Sequence, residues 1–150
     1  MENATKAMLI AAGVLIGIMI LSLGVTLYSE FSTYIKSARE TMEFNEQNSF
    51  NAQFTKYVNY IGIQKQFDLT IQDVITAANT ANEINRVNEA QPGDHLYVAV
   101  YLGTQHIEYD GTDIAKLLKD GLPFKYKCSS TDVKFSTVTG RVCEVRFSQE

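Results

Sequence analysis

The chain has 150 residues, of which 45% are hydrophobic and 20% charged, and its formal net charge is −4. Nucleic acid is a poor partner for this composition, because phosphate recognition needs clustered Lys and Arg. Two prolines and 11% aromatic residues are typical of a folded domain and not of a disordered tail.

The most informative segment is residues 7–28, which contains no charged side chain. A helix of that length crosses the ~30 Å hydrocarbon core of a bilayer. The segment is therefore predicted to be a transmembrane helix after a short stub, residues 1–6. A cleaved signal peptide is the alternative, but signal h-regions have only ~7–15 residues and a more basic flank than Lys6 supplies. We expect a single-pass protein of the bacterial cell membrane in contact with lipid, with its C-terminal domain outside.

An apolar pattern continues beyond the membrane segment through residues 29–44. Apolar or small residues recur at alternating spacings of three and four, which is a heptad seam, and one helix is predicted from about Thr5 to Glu43. This amphipathic extension either packs on its own domain or meets neighbouring copies. A GxxxG pair inside the membrane segment favours close helix–helix approach. The residues predicted to mediate helix–helix assembly are Gly13, Gly17, Leu21, Gly24, Tyr28, Phe31 and Ile35.

Residues 45–150 are predicted to form one extracytoplasmic domain. A polar stretch rich in Asn and aromatic residues suggests a strand at 51–58. A capping box at Thr70 and Asp73 then starts a helix that runs to about Ile84.

From residue 95 the apolar pattern changes to a period of two, which indicates strands. Residues 96–102 and 105–109 are predicted to pair, a turn follows at Asp110-Gly111, and residues 112–120 form a short helix. Three more strands are predicted at 124–128, 133–138 and 141–147. The fold class is therefore α+β, in which the long N-terminal helix and a second helix pack on a C-terminal antiparallel sheet.

Cys128 and Cys143 are the two cysteines of the chain. A disulfide requires the segments 124–128 and 141–147 to be direct neighbours in the sheet, because bridged Cα atoms lie within about 7 Å. We predict the disulfide, and two free thiols facing a core are the alternative.

No motif in the sequence specifies a reaction, so the chain is not expected to be an enzyme or to bind a cofactor or metal. His95 and His106 are too few and too far apart for a dedicated zinc site. No GxSxG, GxxxxGK[ST] or GxGxxG occurs.

The layout resembles that of type IV pilin-like proteins, in which an apolar N-terminal helix continues as an amphipathic helix against a C-terminal sheet. The resemblance implies a filament with the apolar helices at its core, and a Cys pair near the C-terminus that closes a loop. The chain is also similar to small single-pass bacterial membrane proteins of unassigned role, which implies no activity.

Three hypotheses for function follow. The first is a structural subunit of a pilus-like surface filament that assembles with itself through the N-terminal helix. The second is a single-pass accessory component of a secretion or transfer machine, which binds assembly-machine proteins through the sheet domain. The third is an extracytoplasmic ligand-binding or adhesive module, with Tyr97, Tyr101 and Tyr109 as contacts.

Overall fold

The computed structural model describes residues 2–108 and 114–150 of the chain. It divides into two compact units, Met1–Asn45 and Glu46–Glu150, and each is described by itself below. The predicted turn at Asp110-Gly111, the first residues of the helix predicted at 112–120, and Tyr109 lie outside the described residues.

The first element is one α-helix, α1, at Glu2–Thr55. No Gly or Pro follows Gly24 until Gly62, so nothing in the sequence interrupts the helix over its second half. The strand predicted at residues 51–58 is wrong, because α1 continues to Thr55 and buries Phe54 completely.

A small hairpin follows α1 and is held by a buried asparagine. Strands β1 (Tyr60–Ile61) and β2 (Gln64–Lys65) are antiparallel, and Gly62 between them has a φ of 63°. The fully buried Asn59 amide donates to the carbonyl oxygens of Phe67 (3.1 Å) and Tyr126 (3.0 Å). Its oxygen accepts the Cys128 N–H at 2.8 Å, so every polar atom of this side chain has a partner.

Helix α2 occupies Ile71–Val87, as the sequence predicted to within three residues at its C-terminal end. Its first turn is closed by Asp73, whose carboxylate accepts the Thr70 N–H at 2.8 Å. Small alanines on its buried face allow the helix to lie close to its neighbours. The buried residues of α2 are Ile71, Val74, Ala77, Ala78, Ala81 and Asn85.

The main sheet contains five strands in the described part of the chain. Its members are β3 (Ala99–Leu102), β4 (Gln105–His106), β5 (Tyr126–Lys127), β6 (Val133–Phe135) and β7 (Val142–Gln149), and helix α3 (Ile114–Gly121) lies between β4 and β5 in the chain. The order is β4–β3–β7–β5, and β6 also pairs with β7.

The α+β class predicted from the sequence is confirmed, with one change in the sheet. Strands β3 and β7 run parallel, with Ala99 beside Glu144 and Leu102 beside Phe147, whereas the other pairs are antiparallel. The sheet is therefore mixed. A parallel neighbour requires a long connection, and here that connection is the chain between β3 and β7, which contains β4, α3, β5 and β6.

The core of the second unit is formed by the C-terminal turns of α1, by α2 and by the inner face of the sheet. Its largest fully buried apolar side chains are Phe54, Leu69, Ile71, Ile107 and Phe147. Tyr57 from the segment after α1 meets Phe147 edge to face, with ring centroids 6.0 Å apart. The end of α1 is thus an integral part of the second unit.

Candidate membrane and assembly surface

The first unit is the part of α1 up to Asn45, and its large apolar side chains are exposed. Within the described residues, α1 is the one helix long and apolar enough to cross a membrane, a property that a signal sequence near the N-terminus shares. The exposure does not stop at the end of the membrane-length segment. Met42 is 71% exposed and Phe44 is 61% exposed, although both lie well past Tyr28.

Helix geometry brings the seven predicted assembly residues onto one stripe. At 100° per residue, their positions fall within an arc of about 80° around the helix axis. The stripe contains Gly13, Gly17, Leu21, Gly24, Tyr28, Phe31 and Ile35, and all are helical in the structure. A Cβ atom added at any of the three glycines would meet nothing within 4 Å, so within the unit the space beside them is open.

The opposite face of the same helix is rich in hydroxyl side chains, and its three threonines at positions 26, 33 and 41 donate to backbone carbonyls of the preceding turn. Thr26 donates to the Ser22 carbonyl oxygen at 2.9 Å, inside the charge-free segment. Thr33 makes the same bond to the Ser29 carbonyl at 3.0 Å. Because an unpaired hydroxyl is costly in hydrocarbon, the bond made by Thr26 suits this segment to a bilayer.

In the second unit, the last turns of α1 are fixed to a turn of the sheet. Asn51 donates to the Gly140 carbonyl at 3.0 Å and accepts the Val142 N–H at 2.8 Å, while Gln47 donates to the Thr139 carbonyl at 3.1 Å. Gly140 has a φ of +65°, which favours glycine. An added Cβ there would lie 1.9 Å from Nε2 at the end of the flexible Gln47 side chain, which would have to move away and give up its bond to Thr139, so the main reason for glycine here is the positive φ.

The tyrosines proposed as ligand contacts are engaged by their neighbours on the outer face of the sheet. Tyr101 lies between His106 (ring centroids 5.0 Å apart) and the Arg146 guanidinium (4.9 Å from the ring centroid). Tyr97 is half-buried near the same histidine, and its pKa is raised mainly by burial. These two rings are therefore parts of a packed surface. The third, Tyr109, lies outside the described residues.

A charged cluster joins the β1–β2 hairpin to the end of the chain. The Lys65 ammonium binds Asp68 Oδ1 at 2.7 Å and also binds the Glu150 carboxylate, and Lys125 lies 3.1 Å from Asp68 Oδ2. The hydrogen bond from Lys65 lowers the pKa of Asp68, and Lys125 lowers it further. Bonds from Lys65 and from the Tyr60 hydroxyl lower the pKa of Glu150. These ion pairs connect the hairpin to the C-terminal residue and to the segment just before β5.

Both cysteines are free, so the predicted disulfide between Cys128 and Cys143 is absent from the structure. Cys128 directly follows β5 and Cys143 lies in β7, and these two strands are neighbours, as the bond required, but Lys127 pairs with Ser148. Cys128 therefore lies level with Phe147, four residues from Cys143 and about 13 Å away along the strand. Burial raises the pKa of the Cys128 thiol to about 12, and burial also raises that of the half-exposed Cys143.

No group of three His, Cys, Asp or Glu side chains able to hold a metal ion is found among the described residues. His106 Nδ1 lies 2.8 Å from Glu108 Oε1 at the short edge strand β4. His95 is exposed in the loop before β3. The structure does not bring the two histidines together into one site.

Comparison of the chain with models of protein families, with curated proteins and with solved structures yields no match.

Proposed function

We propose that the chain is a structural subunit of a pilus-like filament, anchored in the bacterial cell membrane and assembling with itself through α1. Its C-terminal domain lies outside the cell, and lipid surrounds residues 7–28 before assembly. The proposed role is structural, and no catalytic step or cofactor belongs to it.

The observation that carries this proposal is the length of the exposed apolar stripe. A bilayer needs about 20 apolar residues, and residues 7–28 already meet that need. The stripe nevertheless continues through Phe31 and Ile35, and Met42 extends the same face of the helix. All three side chains are exposed within the first unit. A monomeric anchor gains nothing from exposed aromatic and aliphatic side chains beyond the lipid. Neighbouring copies of the same helix would cover them.

The glycines support the same role. Gly13, Gly17 and Gly24 lie on this stripe with open space beside them. Glycine at a helix surface lets a second backbone approach closely, which is the main source of packing energy between helices in an apolar medium. Each glycine also weakens an isolated helix by about 1 kcal/mol relative to alanine, a cost that close packing offsets.

The adhesive-module alternative has less support, because Tyr97 and Tyr101 are held by His106 and Arg146. The accessory-component alternative differs from the filament in one property, since it predicts a chain that stays dispersed in the membrane. Electron microscopy can therefore distinguish the accessory component from the filament subunit.

The test is negative-stain electron microscopy of sheared surface material and detergent extracts from cells that express the full chain. We expect regular filaments from the unmodified chain and none from the double variant Gly13→Leu/Gly17→Leu. The matched control is Ala11→Leu/Ala12→Leu, which adds bulk to the same membrane segment at positions about 120–140° away from the stripe. The control variant should assemble.

Dispersed particles from the unmodified chain would reject the filament and favour a single-pass accessory component. Filaments from the Gly13→Leu/Gly17→Leu variant would reject the stripe as the assembly surface. In both cases circular dichroism of the extracted protein must show that the sheet domain remains folded.

A further inference from the structure

The exposed apolar face continues from Tyr28, the last residue of the membrane segment, as a seam whose properties specify its partner more narrowly. This seam consists of Tyr28, Phe31, Ile35, Ala38 and Met42, all within the first unit. Ala38 is half-buried and the other four are exposed, from 38% for Ile35 to 76% for Tyr28.

We infer that the membrane-inserted chain pairs with a second copy through this seam, as a parallel coiled coil in which identical residues face each other. The inference rests on the proposed function, since it names the partner and the register of the same surface before filament assembly.

The membrane segment fixes the direction and the depth of each copy. All copies inserted by the same route have their N-termini on the same side, so two neighbouring α1 helices run parallel. The charge-free residues 7–28 match the hydrocarbon thickness, so each copy is held at one depth to within a few ångströms. A shift of one heptad along the partner is about 10 Å, and it would move charged or polar residues into lipid. Equal depth therefore favours equal register.

The spacing of the seam fits another helix better than a flat surface. Its steps of three and four residues repeat every 3.5 residues, which is the period of knobs-into-holes packing between two helices. A helix lying on a membrane surface has a wider apolar face with cationic side chains along its polar side. Here the opposite side carries Glu30, Lys36 and Glu40, a mixture with more acid than base.

The residues that flank the seam also suit a parallel partner. If Tyr28 and Ile35 occupy a positions, Tyr34 occupies a g position and Arg39 the following e position. In a parallel pair, g of one helix meets the following e of the other. Arg39 of one copy would then lie beside the Tyr34 ring of its partner, a cation–π contact. Tyr34 is 71% exposed within its own chain, and Arg39 is exposed as well.

The test is disulfide cross-linking between full-length chains in native membranes, using single engineered cysteines. The background carries Cys143→Ser, and the buried Cys128 is retained. Phe31→Cys and Ile35→Cys place a thiol in the seam, and Thr33→Cys and Lys36→Cys place one on the opposite side of the same turns. On mild oxidation we expect at least about tenfold more dimer from the two seam variants, because a disulfide forms only where Cα atoms approach within about 7 Å.

A charge reversal beside the seam provides a second, independent readout. Arg39→Glu should lower the dimer yield of Phe31→Cys several-fold, and Lys36→Glu, the matched reversal on the far side, should leave it unchanged. Equal yields from all four cysteine positions would overturn the inference, as would dimers that form only between unlike positions in mixed membranes. If Arg39→Glu leaves the dimer yield of Phe31→Cys unchanged, the contact between Arg39 of one copy and Tyr34 of the other is not part of the pair.

The outcomes separate this inference from the proposed function. Filaments without same-residue cross-links would leave the subunit role standing and reject the in-register pair. Cross-links from seam positions without filaments would establish the pair and reject the filament.

Discussion

Replacing Asn59 tests a fully buried polar side chain in the sheet domain that makes three hydrogen bonds to the backbone. Its side chain is completely buried between the end of α1 and strand β5, and it bonds two carbonyl oxygens and one N–H group. These partners belong to Phe67, Tyr126 and Cys128, so the amide joins its own segment to the one that contains Phe67 and to the one that contains Tyr126 and Cys128. Asn59→Ala removes all three bonds and leaves their backbone partners in a cavity.

The expected loss follows from the number of groups left without a partner. A buried polar group that loses its hydrogen bond costs about 1–3 kcal/mol, and three such groups give about 3–9 kcal/mol if no water replaces the amide. The whole free energy of unfolding of a domain is about 5–15 kcal/mol. With a urea dependence of about 1.5 kcal/mol per molar, the unfolding midpoint should fall by about 2 M or more.

Urea unfolding of the full chain in mild detergent, followed by near-UV circular dichroism of the tyrosines, measures this change. The matched control is Asn79→Ala, because Asn79 is exposed on α2 and its replacement should change the free energy of unfolding by about 0.5 kcal/mol or less. A loss below about 1 kcal/mol for Asn59→Ala would refute the reasoning, because it would mean that the three bonds contribute little beyond those to solvent.

Three further predictions concern the cysteines, pH and the turn that holds α1. Cys143 should react with iodoacetamide in the native protein and Cys128 only after unfolding, and a reductant should leave the melting temperature unchanged; a drop of several degrees with reductant would contradict the free thiols. The pKa values of Asp68 and Glu150 are lower in the folded chain than their ordinary values near 4. The ionised carboxylates therefore stabilise the hairpin when the pH is above about 4. This contribution is lost as pH falls through the lowered values, so the protection of β1 and β2 from hydrogen exchange should fall there; Asp68→Asn should reduce the dependence and Asp68→Asn/Glu150→Gln should abolish it. Gly140→Ala should cost about 1–3 kcal/mol of stability, because alanine is strained at the positive φ of this position and displaces the Gln47 amide from Thr139; an unchanged urea midpoint would contradict that strain.

The helices were the most predictable parts of the structure because their signals are local. The charge-free run of residues 7–28, and the absence of Gly and Pro from residue 25 to residue 45, predicted α1 over most of its length. The Thr70 and Asp73 pair marked the start of α2, and the bond between them is present. Both features depend on residues within one or two turns, which sequence reasoning can evaluate.

The Asn-rich composition of residues 51–58 predicts a strand, whereas the spacing of the aromatic residues there is that of the helix α1, which continues to Thr55. Phe50, Phe54 and Tyr57 stand four and three residues apart, which is a helical period, and all three are partly or fully buried. Asn51 is helical despite its low propensity because its amide bonds Gly140 and Val142, almost ninety residues away in the chain. Contacts of that range are invisible in a local pattern.

The arrangement of the sheet was also beyond local reasoning. The alternation in 96–102 and 141–147 identifies strands, but it does not say that β3 and β7 are parallel neighbours. The register between β5 and β7 decides that Cys128 and Cys143 are too far apart to bond, and a shift of four residues along the strand would have reversed that outcome. The hairpin at β1 and β2 has only two residues per strand and carries too weak a signal to detect.

The membrane segment of α1 lowers the free-energy cost of association through the seam that follows it. Burying Tyr28, Phe31, Ile35 and Met42 in a pair stabilises it by about 1.5–3 kcal/mol for each side chain that is fully covered. Association in solution costs about 4–15 kcal/mol in translational and rotational freedom, so this seam alone would give at best a weak dimer. The membrane segment removes part of that cost, because it confines the copies to one plane and aligns them, which raises their effective concentration. A seam of moderate strength directly after a membrane-length helix is therefore suited to assembly that occurs only where the chain is inserted.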